Sequence, residues 1–358
     1  MRIHVLGCIR NASTPHIPMD PYATVSYFLT THLHRNGHEV HYYGYKESEV
    51  ECTKHWVSED KTFLEKYFVT DYEENHWVEN DEGNKLFTDI AIKNLSENYK
   101  DGEIILCMWS TQCTEVINGL SHQFNNLKVV DAHIGHRWPD MNTPYHVYAS
   151  ISNQHVCMGM HKEERDDYWH ETAIYPMANS LKDFKCTEKK DDYHLFMGRT
   201  NITKGITIFL DIARHFPDEN FILAGQGGLS QVNNTLPPNV KHVGLLNRKQ
   251  RTEYLQKAKS VISPSYYAEP FGLTAIEANL SGTPIICTDH GGYTESVIEG
   301  VTGFRCSYFS DFVNAINSLD KIDAKECRKN GEKFTAENLI NDWERYLKRI
   351  NKDWYDLD

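Results

Sequence analysis

The sequence predicts an α/β protein made of two open parallel-sheet units, and three observations carry that prediction. Short β-rich apolar runs alternate with helical patterns along the chain, the signature of strands joined by crossover helices. The alternation breaks and restarts around Ile174-Tyr175-Pro176-Met177, where a proline interrupts an extended run. The chain has 358 residues, more than one hydrophobic core usually fills.

In the first half the expected strands are Ile3-Leu6, Val40-Tyr43, Ile104-Met108, Val129-Asp131 and Val147-Ser150. A helix is expected from Tyr22 to Arg35, closed by Asn36-Gly37, because glycine suits a left-handed C-terminal cap. The charged, aromatic stretch 47–84 has no regular pattern and receives no element. A second series follows: strand Tyr193-Met197, helix Gly205-His215, strand Phe221-Ala224, strand His242-Val243 and helix Arg248-Ala258. Strand Val261-Ser263, helix Gly272-Leu280, strand Pro284-Cys287 and helix Thr294-Glu299 complete it. From Ala336 to Ile350, residues Leu339, Trp343, Tyr346, Leu347 and Ile350 share one helical face. The expected domains are 1–172, 173–335 and a terminal helix, 336–358.

Composition narrows the function. Hydrophobic residues make up 40% and charged residues 24%, as in a folded globular chain. No run of 18 apolar residues occurs, so no transmembrane segment is expected. The N-terminal apolar stretch is too soon broken by Arg10 and Asn11 to be a signal peptide. The net charge is -13 and no basic stripe is present, which lowers the expectation of a polynucleotide partner. Nine cysteines without a C-x-x-C pair fit reduced thiols in a cytoplasmic protein. The 19 histidines show no metal-binding spacing, so no metal is expected.

Three segments carry chemistry. In Gly198-Arg199-Thr200-Asn201-Ile202-Thr203-Lys204-Gly205 a strand ends and two cations stand five residues apart before a helix. A diphosphate is held by such a guanidinium fork and ammonium beside free backbone N–H groups; the same pattern also fits a solvated loop. In Glu269-Pro270-Phe271-Gly272-Leu273-Thr274-Ala275-Ile276-Glu277 a proline can open a helix. The N–H groups of Gly272, Leu273 and Thr274 would face an anion there. Glu277, eight residues after Glu269, returns to nearly the same face, and its apolar neighbours imply a buried helix. The third segment, Asp289-His290-Gly291-Gly292-Tyr293-Thr294-Glu295, reads equally as a ligand-approaching loop or an ordinary strand-to-helix turn.

The G-R-x(4)-K-G, E-x(7)-E and G-G-x-x-E segments, in this order and spacing, resemble the retaining GT-B glycosyltransferases of the family 4 type, also called group 1. Ile174-Tyr175-Pro176, Leu223-Ala224-Gly225, His242-Val243-Gly244 and Ser263-Pro264-Ser265 fit the same pattern. The resemblance is strong from Ile174 to Phe304 and weaker elsewhere. It implies a GT-B fold: two Rossmann-like α/β/α domains facing a cleft, with a C-terminal helix crossing back to the N-domain. It implies that Arg199 and Lys204 hold the diphosphate of a nucleotide-sugar donor, UDP- or GDP-linked, with backbone from Gly272 to Thr274. By the same resemblance Glu269 faces the transferred sugar, Glu277 holds the ribose, and His133 or His136 stands near the reacting centre. The family's glycine pair after the first strand is replaced by residues 10–21, so that loop's contacts do not carry over. The implied reaction transfers a sugar to an acceptor with retention, without a metal or other cofactor. The acceptor stays open among glycan, lipid, small molecule, protein and modified DNA base. Rival readings are a sugar phosphorylase, a nucleotide-sugar epimerase, a binding module with a dead site and an NAD-dependent oxidoreductase. The oxidoreductase needs G-x-G-x-x-G, and Gly225-Gln226-Gly227 lacks the third glycine.

Overall fold

The computed structural model describes residues 1–15, 20–67, 81–109, 112–132, 135, 143, 145–160, 171–177, 181–232 and 235–352. The chain divides into two compact units. The described residues up to Met177 and from Ala336 onward form the first; those of 178–335 form the second.

The first unit begins with β1 (Arg2–Leu6), α1 (Pro21–Arg35), β2 (Glu39–Gly44), β3 (Lys54–Val57), α2 (Lys61–Tyr67) and α3 (Asp81–Asn98). It continues with β4 (Ile104–Cys107), α4 (Gln112–Leu120), β5 (Lys128–Asp131), β6 (Tyr145–Tyr148), α5 (Ile151–Met160) and β7 (Glu171–Ala173). Its seven strands are ordered β3-β2-β1-β4-β5-β6-β7, and every pairing is parallel. β4 and β5 are buried along their whole length, as strands covered on both faces must be. α1 starts where the Asp20 carboxylate accepts the N–H groups of Tyr22 and Ala23, with Pro21 at its first position. It stops in a paired motif, His38 N–H to Leu33 O and Gly37 N–H to His34 O, with Gly37 at φ +87°.

The second unit contains β8 (His194–Met197), α6 (Ile206–His215), β9 (Phe221–Ala224), β10 (Val240–Gly244), α7 (Arg248–Lys257) and β11 (Ser260–Ser263). Then follow α8 (Leu273–Leu280), β12 (Ile285–Thr288), α9 (Tyr293–Ser296), β13 (Gly303–Cys306), α10 (Phe309–Ile316) and α11 (Ala324–Glu332). Its sheet has six parallel strands ordered β10-β9-β8-β11-β12-β13. Phe196, Phe209, Phe221, Leu223 and Ile262 lie in its core, between sheet and helices.

α12 (Ala336–Asn351) leaves the second unit and packs on α1 of the first. Leu339, Ile340, Trp343, Tyr346, Leu347 and Ile350 are its buried stripe. His38 Nε2 lies 2.8 Å from Glu344 Oε1, tying the helix beside the α1 terminus. The crossing-back helix expected from the sequence is therefore present.

Three local differences from the sequence reading have physical causes. β6 ends at Tyr148 because the Ser150 hydroxyl accepts the Asn153 N–H, capping α5. The stretch left without an element holds β3 and α2. β3 is an edge strand whose Lys54 and Val57 are exposed, so it shows no apolar run. The helix expected at Thr294-Glu299 is the single turn α9, because Val297 is already extended.

Candidate active site

Ligands of open parallel sheets bind at the carboxyl ends of the strands, where the strand order reverses. In the second unit that point lies between β8 and β11: the chain runs from β8 outward to β10, then returns to β11 on the other side. The loops after these two strands bear Lys204 and Glu269.

The loop after β8 is a tight structure. Asn201 Oδ1 accepts the Lys204 N–H at 2.9 Å, closing the 3-10 turn Ile202–Lys204. Thr203 O accepts the N–H groups of Tyr266 and Tyr267, at 3.0 and 3.1 Å, and so fastens this turn to the loop after β11. Across that junction Lys204 Nζ donates to Glu269 Oε1 at 2.5 Å. Ser265 Oγ donates to the same oxygen at 3.0 Å, and the Tyr267 ring lies 5.3 Å from the ammonium. Glu269 is 8% exposed. A buried carboxylate needs such donors, since uncompensated burial of charge is costly. Arg199 stands apart from this pair: it is exposed and in no ion pair among the described residues.

The backbone of Glu269 is held from the third segment. Gly292 donates its N–H to Glu269 O at 2.7 Å. A Cβ at Gly292 would stand 2.3 Å from Phe271 Cα, and one at Gly291 would stand 2.7 Å from Glu269 O. The paired glycines therefore pack against residues 269–271. Gly272 is the N-cap of α8 at φ +89°, with no side-chain cap bond. A Cβ there would lie 2.3 Å from the Tyr293 ring, whose hydroxyl meets Ser263 Oγ at 2.6 Å. Burial pushes the Tyr293 phenol well up from its ordinary pKa. The half-buried Leu273 and Thr274 form the first turn of α8, whose positive dipole end favours an anion.

Glu277 is buried in α8 and accepts from Arg251 of α7. Arg251 Nε is 3.0 Å from Glu277 Oε2, and Nη2 donates to the same oxygen. Sequence reasoning missed Arg251: in the run Arg248-Lys249-Gln250-Arg251 it looks like any surface charge. It also missed Ser265 and Tyr293, which had no signal beyond their places in the motif segments. His133 and His136 lie outside the described residues.

In the first unit the strand order reverses between β1 and β4. The Arg10 guanidinium, after β1, lies 4.6 Å from the ring centroid of Trp109, after β4. Asn11 Nδ2 donates to Asp20 Oδ2 at 2.8 Å, folding that loop back onto the start of α1. Among the described residues no group of three or more His, Cys, Asp or Glu is placed to hold a metal ion. Nor is any helix there long and apolar enough to cross a membrane. Gly225-Gln226-Gly227 runs on to the 3-10 turn Ser230–Val232 rather than directly into a long helix, unlike a dinucleotide cradle.

Residues 180–334 match the family model described as "Glycosyl transferases group 1". A relative named as an uncharacterised glycosyltransferase, MJ1178 of Methanocaldococcus jannaschii, is 28% identical over 221 residues. The match covers 59% of this chain and 62% of that relative, less than two thirds of its length. Among solved structures, AviGT4, described as a glycosyltransferase involved in avilamycin A biosynthesis, superposes with a TM-score of 0.73. Identity is 17%, and 98% of each chain is covered. Anabaena Alr3699/HepE, crystallised with UDP and glucose, gives a TM-score of 0.68 at 15% identity, covering 97% of this chain and 99% of that one. At these identities the likeness carries the fold: the architecture is GT-B, with two parallel-sheet units and a returning C-terminal helix.

Proposed function

We propose that this protein transfers a sugar from a nucleoside diphosphate sugar, UDP- or GDP-linked, to an acceptor hydroxyl with retention of configuration. The observation that carries the reading is the Lys204–Glu269 pair at the strand-order reversal, beside the uncapped N-terminus of α8. The ammonium and the helix end suit the diphosphate, and the adjoining carboxylate suits sugar hydroxyls. As the anomeric C–O bond to the diphosphate breaks, negative charge grows on the leaving oxygen. Lys204, Arg199 and the N–H groups near Gly272 to Thr274 stabilise it, the kind of preorganised electrostatics that is commonly the largest catalytic term. The acceptor oxygen bonds to the anomeric carbon from the face the leaving group departs, and its proton passes to the departing diphosphate. Glu269 positions the sugar and Glu277 holds the ribose.

This chemistry needs neither a metal nor another cofactor, because the protein's own cations and helix end neutralise the leaving group. Free thiols at all nine cysteines, with only Cys186 exposed, support a reducing, cytoplasmic setting. The family match and the complex of HepE with UDP and glucose support a nucleotide-sugar donor. The test is a panel of radiolabelled UDP- and GDP-sugars, assayed for hydrolysis and then for transfer, with and without EDTA. Turnover of one donor that persists in EDTA is expected. Failure of every donor to bind or turn over, with stabilisation by NAD(H) instead, would overturn the reading.

A further inference from the structure

We infer that Arg251 is a positioning residue that makes Glu277 selective for a ribose, so that nucleotide specificity at this site depends on a residue of the neighbouring helix. The inference rests on the ribose role proposed for Glu277.

The placement of Arg251 is built in. Asn247 caps α7 by accepting the Gln250 N–H at 3.0 Å, and Gln250 Oε1 accepts the Asn247 N–H at 3.0 Å in return. This reciprocal cap fixes the first turn, where the Arg251 N–H reaches Asn247 O at 2.8 Å. α7 packs against α8, and the guanidinium meets Glu277 there. The Nε and Nη2 contacts both fall on one oxygen, Glu277 Oε2; the Arg251 side chain is 18% exposed and that of Glu277 9%. Planar guanidinium forks hold a carboxylate in a fixed orientation in a way an ammonium does not.

Two consequences follow for a bound nucleotide. A carboxylate with two oxygens has about four acceptor sites, so one engaged by Arg251 keeps capacity for hydroxyl donors. A carboxylate held in one rotamer also gives up little further entropy when a ribose binds, which preserves affinity. Without Arg251 the buried carboxylate loses the guanidinium that fixes its orientation. Its acceptance of ribose hydroxyls then weakens, while a nucleotide without those hydroxyls is scarcely affected.

The experiment measures dissociation constants by calorimetry, using whichever of UDP and GDP the wild type binds more tightly and the 2′,3′-dideoxy form of the same nucleotide. Wild type, Arg251→Met, Arg251→Lys and Glu277→Gln are compared, with thermal melts confirming that each is folded. The wild type should prefer the ribonucleotide by about tenfold or more, the loss typical of a hydrogen bond to a charged group. Glu277→Gln should erase most of that preference. Arg251→Met should erase it too, chiefly by weakening the ribonucleotide, and Arg251→Lys should restore only part. Full ribose preference in folded Arg251→Met, with the preference lost in Glu277→Gln, would overturn the role of Arg251 and leave the ribose reading standing. Equal affinities of the wild type for both nucleotides would instead remove the ribose role of Glu277 itself. Should Arg251→Met fail to fold, the Lys variant decides: unchanged preference overturns the inference.

Discussion

Lys204 and Glu269, 65 residues apart in sequence, form a 2.5 Å ion pair across the point where the strand order of the second sheet reverses. The pair makes the ammonium a shared resource. On the proposed reading, a diphosphate arriving at Lys204 would compete with Glu269 Oε1 for the ammonium, and a sugar hydroxyl arriving at Glu269 would compete with Lys204.

Glu269→Gln should therefore leave free nucleoside diphosphate binding unchanged or tighter, while transfer falls by about 100-fold or more, because contacts to the sugar act mainly as the anomeric centre reacts. Lys204→Ala should weaken the free nucleotide by about 1.5–3 kcal/mol. Calorimetry and a transfer assay on both variants check this. Equal losses of nucleotide affinity in Glu269→Gln and Glu277→Gln would show that the division of roles is wrong.

Gly272→Ala should cost about 2–4 kcal/mol of stability. A left-handed backbone at φ +89° penalises any Cβ, and here that Cβ meets the Tyr293 ring at 2.3 Å. Urea denaturation measures the loss. Nucleotide affinity should fall with it, because the first turn of α8 must shift. A variant as stable as wild type would contradict the packing described.

Acid should destabilise the protein through buried histidines. His4 Nδ1 is 2.8 Å from the Tyr43 hydroxyl and its Nε2 is 2.8 Å from Glu103. Burial lowers its pKa from 6.5 to about 4, against the raising pull of Glu103. Burial also lowers that of His194 on β8. The unfolded chain thus takes up protons first, so this stabilisation is present above pH 6.5 and is lost as pH falls toward 4. The slope from His4 approaches about 1.4 kcal/mol per pH unit at most. Denaturation curves at several pH values should be steeper for the wild type than for His4→Gln; identical slopes would reject the assignment.

Trp343→Ala should cost about 3–5 kcal/mol, the usual range for a buried tryptophan. Trp343 is buried on α12 at the α1 side of the first unit. Differential scanning calorimetry should show the loss while nucleotide affinity per folded molecule stays near that of wild type. Loss of affinity in a folded variant would contradict an assignment to the first unit alone.

Much of this was legible in the sequence because it is local. The strands are short apolar runs, Gly37 marks the end of α1, and the apolar neighbours of Glu277 anticipate its burial in α8. What was not legible is long-range. Nothing in the run that contains Arg251 distinguishes it from its solvated neighbours, because its partner lies 26 residues away on another helix. Edge strands were also missed: β7, with Glu171, lacks the apolar run that marks a covered strand, and its identity comes from pairing with β6. The paired glycines at 291 and 292 were ambiguous for the same reason, since their neighbours, residues 269–271, come from a different loop.

The returning helix has a consequence for how the chain is made. Residues 178–335 are nested inside the first unit, whose α12 is synthesised only after them. At about 5–20 residues per second, the ribosome needs on the order of ten seconds to cross that insert. The second unit can complete its core during that interval. The first, though begun earlier, waits without the α12 face that packs on α1, so the unit started first is the one finished last. A chaperone or premature collapse would act on α1 in that window, and slow codons within the insert would lengthen it.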